Sequence, residues 1–329
     1  MLPKLLTSVI VIITLSINAF GQELFPNAEP ASTMAKGVAG TRFFYDRYKE
    51  QSSNRIKESY HLRMMYGITS KWTIMSTLGV SNHHYKAFPT DVIQYFFNHH
   101  LKTYPPAGFA IEGLNVFSKY RFFTLDKYHQ HLRVAAFAQA CKSFIAHDEA
   151  EPTLMTDNSG YGGGIIATYL YERLATSITA GYIHPLLYKQ DNIHIQFQSG
   201  NASYIEWSTG YRIWPFEYAS YSDLNINLYS EFTFKQYGAA DVEQYGQKID
   251  FSIYASNNPY TYQSLKAGAY VDGRFSIQFI SNSNSRLDLG VTVAMKSRSY
   301  TYWSPMYSIQ YQTYFYKAKR KQKLPAAFQ

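Results

Sequence analysis

The groups in this sequence best suited to chemistry are its histidines and the carboxylates beside them. His83 with His84, His99 with His100, and the run His147-Asp148-Glu149-Ala150-Glu151 bring together the imidazole and carboxylate groups that hold divalent transition metals. Adjacent residues on an extended strand point to opposite faces, so each His-His pair offers one ligand at a time. The candidate metal set is therefore His83, His147, Asp148, Glu149 and Glu151, with solvated loop residues as the competing reading. Nucleophilic catalysis finds no motif: there is no Gly-x-Ser-x-Gly elbow and no His-x-Ser pairing. Gly162-Gly163-Gly164 lacks the lysine and following helix of a phosphate loop and reads better as a close strand approach. No enzyme activity and no cofactor are expected.

A second set of charges sits at every other position of otherwise apolar segments: Arg63, Glu112, Lys119, Arg121, Arg133, Glu206, Arg212, Glu231, Lys235, Asp272, Arg274, Asp288 and Lys296. Side chains alternate sides along a strand, so these residues share one face while the intervening residues share the other. Leu224, Ile226, Leu228, Phe232 and Phe234 alternate with Asn225, Asn227, Tyr229, Glu231, Thr233 and Lys235. Leu287, Leu289, Val291, Val293 and Met295 alternate with Asp288, Gly290, Thr292, Ala294 and Lys296. The same period of two runs through Tyr60 to Ile68, Leu114 to Phe122, Ile205 to Ile213 and Val271 to Phe279, where helical periodicity fits poorly. Weaker alternation covers residues 37 to 48, 72 to 83, 131 to 143, 161 to 172, 173 to 184 and 304 to 317. The total is about twelve strands, apolar on one side and polar on the other.

Short turns near Thr69-Ser70-Lys71, Leu125 to Gln130, Glu172-Arg173, Pro215 to Ser222 and Ser281 to Ser285 alternate with longer stretches near 84 to 109, 144 to 160, 185 to 200 and 237 to 265. Short turns on one side and long loops on the other are the signature of a transmembrane antiparallel β-barrel with periplasmic turns and external loops. An even strand count leaves both termini on the turn side. Composition agrees, because 17% of residues are aromatic, with 31 Tyr, and tyrosine suits the two membrane interfaces. A soluble β-sandwich, the rival, would have shorter strands and more even turns. Residues 1–21 read as a secretory signal peptide, with Lys4, the apolar stretch Leu5 to Phe20 and Ala19-Phe20-Gly21 as the cleavage site. Residues 22–35, with Pro26 and Pro30, read as an N-terminal periplasmic strap, 36–317 as the barrel, and 318–329 as a basic tail. Ile249 to Tyr254 suggests an extra hairpin in the last long loop. The single Cys141 excludes an internal disulfide. The net charge of +8 lies largely in the tail, and an exported chain does not point to nucleic acid as partner.

Three segments, Glu23-Leu24-Phe25-Pro26-Asn27-Ala28-Glu29-Pro30-Ala31-Ser32, Val80-Ser81-Asn82-His83-His84 and Ala146-His147-Asp148-Glu149-Ala150-Glu151-Pro152, carry a resemblance to porin-like outer-membrane barrels and putative transporters of Gram-negative bacteria. The resemblance covers the mature chain and implies the fold without an activity. It departs at the C-terminus, where Tyr314-Phe315-Tyr316 precedes a basic tail instead of ending the chain on an aromatic residue. The expected partners are outer-membrane lipid and lipopolysaccharide, which the acidic run would reach through a bridging calcium ion, the barrel-assembly machinery, and a small polar solute. The inner charges then line either a water-filled passage with a mild preference for anions or a lumen already packed with side chains. A non-conducting surface protein that binds through its external loops is the alternative function.

Overall fold

The computed structural model describes residues 25–316 apart from 52, 90, 100, 156, 218–221, 255–258 and 298–302. The expected signal peptide and basic tail lie outside the described residues. In chain order the strands are β1 (Ala39–Lys49), β2 (Ile56–Thr69), β3 (Trp72–Ser81), β4 (Ala110–Lys127), β5 (Gln130–Ser143), β6 (Gly160–Tyr171), β7 (Leu174–Pro185), β8 (Tyr188–Gln190), β9 (Ile195–Gln198), β10 (Ala202–Trp214), β11 (Asn225–Tyr237), β12 (Asp241–Gln244), β13 (Gln247–Lys248), β14 (Gly268–Ser281), β15 (Ser285–Ser297) and β16 (Met306–Phe315). Two short helices accompany them, α1 (Val92–Asn98) and α2 (Pro259–Leu265).

Twelve strands close into an antiparallel barrel in the order β1-β16-β15-β14-β11-β10-β7-β6-β5-β4-β3-β2. Pairing of β1 with β16, from Ala39↔Phe315 to Tyr48↔Met306, seals the sheet. Closure matters because lipid offers no partner for a free N–H or C=O. The alternation read from the sequence becomes the inside and outside of the wall. Leu62, Met64, Ile205, Trp207, Leu228 and Phe275 face outward and are exposed, whereas their neighbours His61, Ser208, Asn227, Glu231, Arg274 and Gln278 are buried within. Two indole N–H groups on the outer surface are tied to adjacent strands: Trp72 Nε1 donates to Ser118 Oγ at 2.8 Å and Trp207 Nε1 to Thr176 Oγ1 at 3.1 Å. An outer surface of large apolar groups is stable in hydrocarbon and unfavourable in water.

The glycine run on β6 packs as expected. A Cβ on Gly164 would lie 2.1 Å from the Ala180 carbonyl oxygen and 2.8 Å from Gly181 Cα, and one on Gly162 would lie 3.3 Å from Leu154 Cδ1. These positions let β7 approach from one side and a lumenal loop from the other.

The long loops do not simply wave outside. Strands β8, β9, β12 and β13 form a separate four-stranded sheet, drawn from the β7–β10 and β11–β14 connections. The extra hairpin thus exists, but at β12–β13; Phe251–Tyr254 is a turn of 3-10 helix instead. The sheet packs on α1 around Phe88, Val92, Tyr95, Phe96, Ile195, Phe197, Val242, Phe251 and Leu265. Asp91 caps α1 by accepting from Ile93 N and Gln94 N, and Val92, Tyr95 and Phe96 supply its buried face at helical spacing. A helix this short is marginal alone, so the shared core holds it. The result is a folded cap over the external mouth.

Candidate functional site: a lumen closed from both ends

The first closure comes from residues 25–35. The sequence suggested a periplasmic strap; the structure places this segment inside the barrel, where groups of the inner wall bind its backbone and side chains at many points. Glu231 accepts from Asn27 N at 3.0 Å and from Ala28 N at 2.7 Å. Lys119 Nζ donates to the Pro30 carbonyl at 2.6 Å, Thr168 Oγ1 accepts from Ala31 N at 2.8 Å, and Thr73 Oγ1 accepts from Met34 N at 2.9 Å. Arg42 reaches the Pro26 carbonyl and Arg286 the Phe25 carbonyl. Phe25, Ala28, Ala31 and Met34 fill gaps against Tyr229, Ala175, Ala135, Phe137, Met65 and Met75. The physical reason is that buried polar groups require partners, and an extended segment carries a backbone donor or acceptor at nearly every step. Glu29 makes the one ionic seat, paired with Arg63 and with Lys119 Nζ at 3.4 Å.

The second closure comes from the β5–β6 loop, residues 144–159, which turns inward below the cap. Asn115 Nδ2 donates to the Leu154 carbonyl at 2.6 Å, and Lys235 Nζ pairs with Glu151 at 2.8 Å. Tyr270 also donates to Glu151. Higher up, His84 lies between two carboxylates of the loop, with Nδ1 3.0 Å from Asp148 and Nε2 3.4 Å from Asp157. Tyr95 of α1 donates to the other oxygen of Asp148. Burial works against charge on both partners. It is outweighed by their mutual attraction, which holds His84 well above the ordinary imidazole value and Asp148 well below the carboxylate range. Glu149 is pushed well up by burial and by Asp148 beside it. Between rim and cap, Tyr48, Lys57, His83, Tyr85, His99 and Glu149 line a cleft.

The inner charges named from the sequence can now be placed. Glu112, Lys119, Glu231, Lys235, Arg274 and Asp288 are buried; the most exposed of them, Arg274, retains 7% of its surface. Arg63, Arg121, Arg133, Glu206, Arg212 and Asp272 are half-buried, and Lys296 is exposed at the external end of β15. Charges facing an open water column would keep accessible surface, so in this state the central wall meets polypeptide. Arg42 and Arg286, which flank Asp288 at 3.6 and 3.1 Å, were missed by the sequence reading. Both occupy inward positions of alternating segments, the signal that could have found them.

The expected metal set is not assembled. Among the described residues no three His, Cys, Asp or Glu side chains are placed to hold a metal ion. Most of the five have other engagements. His147 Nε2 accepts from Ser159 N at 3.3 Å, and burial draws its pKa down to about 4. Asp148 belongs to His84 and Tyr95, Glu151 to Lys235 and Tyr270, and His83 packs at a tilt against the Tyr48 ring, with its pKa lowered by burial and by neighbouring His84. His100 lies outside the described residues.

No protein-family model matches the sequence, and no curated protein does. Among solved structures, an outer membrane channel from Pseudomonas putida F1 matches with a TM-score of 0.54 at 10% identity, covering 89% of this chain and 100% of that one. The NanC porin gives 0.44 at 10% identity over 85% of this chain and 100% of that chain. OprD from Pseudomonas aeruginosa gives 0.36 at 8% identity over 86% and 66%. The first likeness is one of fold: a closed outer-membrane β-barrel. With an outer wall that requires lipid, the protein resides in the outer membrane of a Gram-negative bacterium.

Proposed function

We propose that this barrel is a gated porin-like channel for small polar solutes, with a preference for anions, and that the N-terminal segment is its gate. The observation that carries the reading is the chemistry of the seat. The segment is held mainly by ion pairs and hydrogen bonds to a polar wall, contacts that water and solute can replace once it withdraws. A barrel built only as a scaffold would gain more from an apolar filling. Withdrawal also removes Glu29 and leaves Arg42, Arg63, Lys119, Arg133, Arg274 and Arg286 facing Glu206, Glu231 and Asp288, an excess of positive charge. The P. putida neighbour, described as a channel, accords with this reading.

The test is planar-bilayer conductance of the mature protein beside a chain lacking residues 25–35, with a heat-modifiable gel shift as the folding control. The expected result is rare steps for the mature protein and frequent, anion-preferring steps for the shortened chain. A shortened chain that folds yet stays silent, both as such and with His84→Gln to release Asp148 of the external loop, would overturn the channel reading in favour of a surface protein acting through its cap.

A further inference from the structure

We infer that the two lumenal segments form one coupled gate, joined through Arg63 and the inner face of β4, so that withdrawal of the N-terminal segment loosens the external loop. The inference rests on the N-terminal segment being movable and adds a partner to its motion. Arg63 points inward from β2 and is itself fixed by the wall: Nε donates to Thr77 Oγ1 at 3.1 Å, and the guanidinium lies 4.9 Å from the centre of the Phe44 ring. Its two terminal nitrogens meet different segments. One pairs with Glu29 of the N-terminal segment, and the other lies 3.8 Å from Met155 Sδ of the external loop. A single cation thus touches both closures.

The inner face of β4 repeats the arrangement independently. Lys119 holds Glu29 and the Pro30 carbonyl, while Asn115, four residues along the same face, holds the Leu154 carbonyl. Phe117 sits between them, stacked on Phe137 at 5.1 Å, and packs against the cluster that contains Ala31. The two segments therefore share one strip of wall. When Glu29 leaves, Arg63 and Lys119 lose their carboxylate in a buried setting, where an unpaired charge is costly. They regain favourable surroundings by turning toward water, which opens space beside Met155 and Leu154. Linkage makes the effect reciprocal: loosening the external loop weakens the hold on the N-terminal segment to the same degree.

The experiment is hydrogen–deuterium exchange of the detergent-solubilised full chain, read at the amides of Ala146, bonded to the Tyr85 carbonyl at 2.9 Å, and Ala150, bonded to the Ser264 carbonyl at 2.9 Å. Two perturbations act on the far segment: Glu29→Gln, and a chain lacking residues 25–35. Both are expected to speed exchange at these amides roughly tenfold. In an Arg63→Met background, Glu29→Gln should add less than it does alone, because only the route through Lys119 remains, the non-additivity of a shared contact. Unchanged exchange across 144–159 in a folded chain lacking residues 25–35 would overturn the coupling. The readout is separate from conductance: a shortened chain with a loosened loop but no current would refute the channel and keep the coupling, and a conducting chain with an unchanged loop would do the reverse.

Discussion

Glu231→Gln is the sharpest single test of how the N-terminal segment is seated. Glu231 is 2% exposed and accepts the backbone N–H groups of Asn27 and Ala28 at 3.0 and 2.7 Å, with Ser208 Oγ at 3.3 Å. Hydrogen bonds to a charged group contribute about 1.5–3 kcal/mol each. Glutamine keeps one acceptor oxygen but turns an NH2 group toward a donor, so the expected loss is about 3 kcal/mol, roughly a hundredfold in the seated-to-withdrawn ratio. The assay places a thiol on the segment at Ala31, which is 0% exposed, in a Cys141→Ala background. Maleimide labelling of Ala31→Cys then proceeds only through the withdrawn state, and with fast opening its rate follows that population. Glu231→Gln should accelerate labelling by about two orders of magnitude while the gel shift of the folded barrel persists. A change of less than about threefold, on the same scale, would refute the assignment of Glu231 as the principal anchor.

The external latch should depend on pH with a defined sign. His84 is raised well above its ordinary value of 6.5 by Asp148 and Asp157, so its contribution is complete below pH 6.5 and is lost as pH rises through the elevated value; protease protection of residues 144–159 should fall over that range, and His84→Gln should abolish the dependence. In the chain lacking residues 25–35, Arg121→Glu with Arg133→Glu should move the reversal potential in a salt gradient toward cation preference, and an unchanged potential would remove both from the permeation path. Gly164→Val should prevent formation of the heat-modifiable barrel, because its Cβ would stand 2.1 Å from the Ala180 carbonyl oxygen; folding at normal yield would contradict the close approach of β6 and β7.

The barrel itself was legible in the sequence because a wall between lipid and a polar interior forces a strict period of two. Leu224 to Lys235 and Leu287 to Lys296 show it without any tertiary information, and the short turns gave the topology. The closures were not legible for a related reason. Residues 25–35 satisfy wall groups that come from strands far apart in sequence, such as Thr73, Thr168 and Glu231, and periodicity says nothing about such partners. Glu29 was the available hint: it is the segment's one ionised side chain, opposite a wall rich in arginine. The histidines were misread because residue type suggests a metal, whereas the geometry gives Asp148 an imidazolium and a phenol, and Glu151 an ammonium and a phenol. Core packing of the cap was hidden because its apolar residues are scattered through loops that look polar on average.

The cap has a consequence for how the protein reaches its final state. Its core joins Phe88 and Phe96 to Phe197, Val242 and Leu265, residues separated by up to slightly more than half the chain and carried on connections between different wall strands. Such contacts cannot form until those strands have taken their places, because the entropy of closing such long loops is recovered only once the barrel brings their ends together. The cap should therefore condense last, after the connections have crossed the bilayer as separate strings. Until then its aromatic residues are open to solvent on the cell surface, and their burial marks the end of assembly.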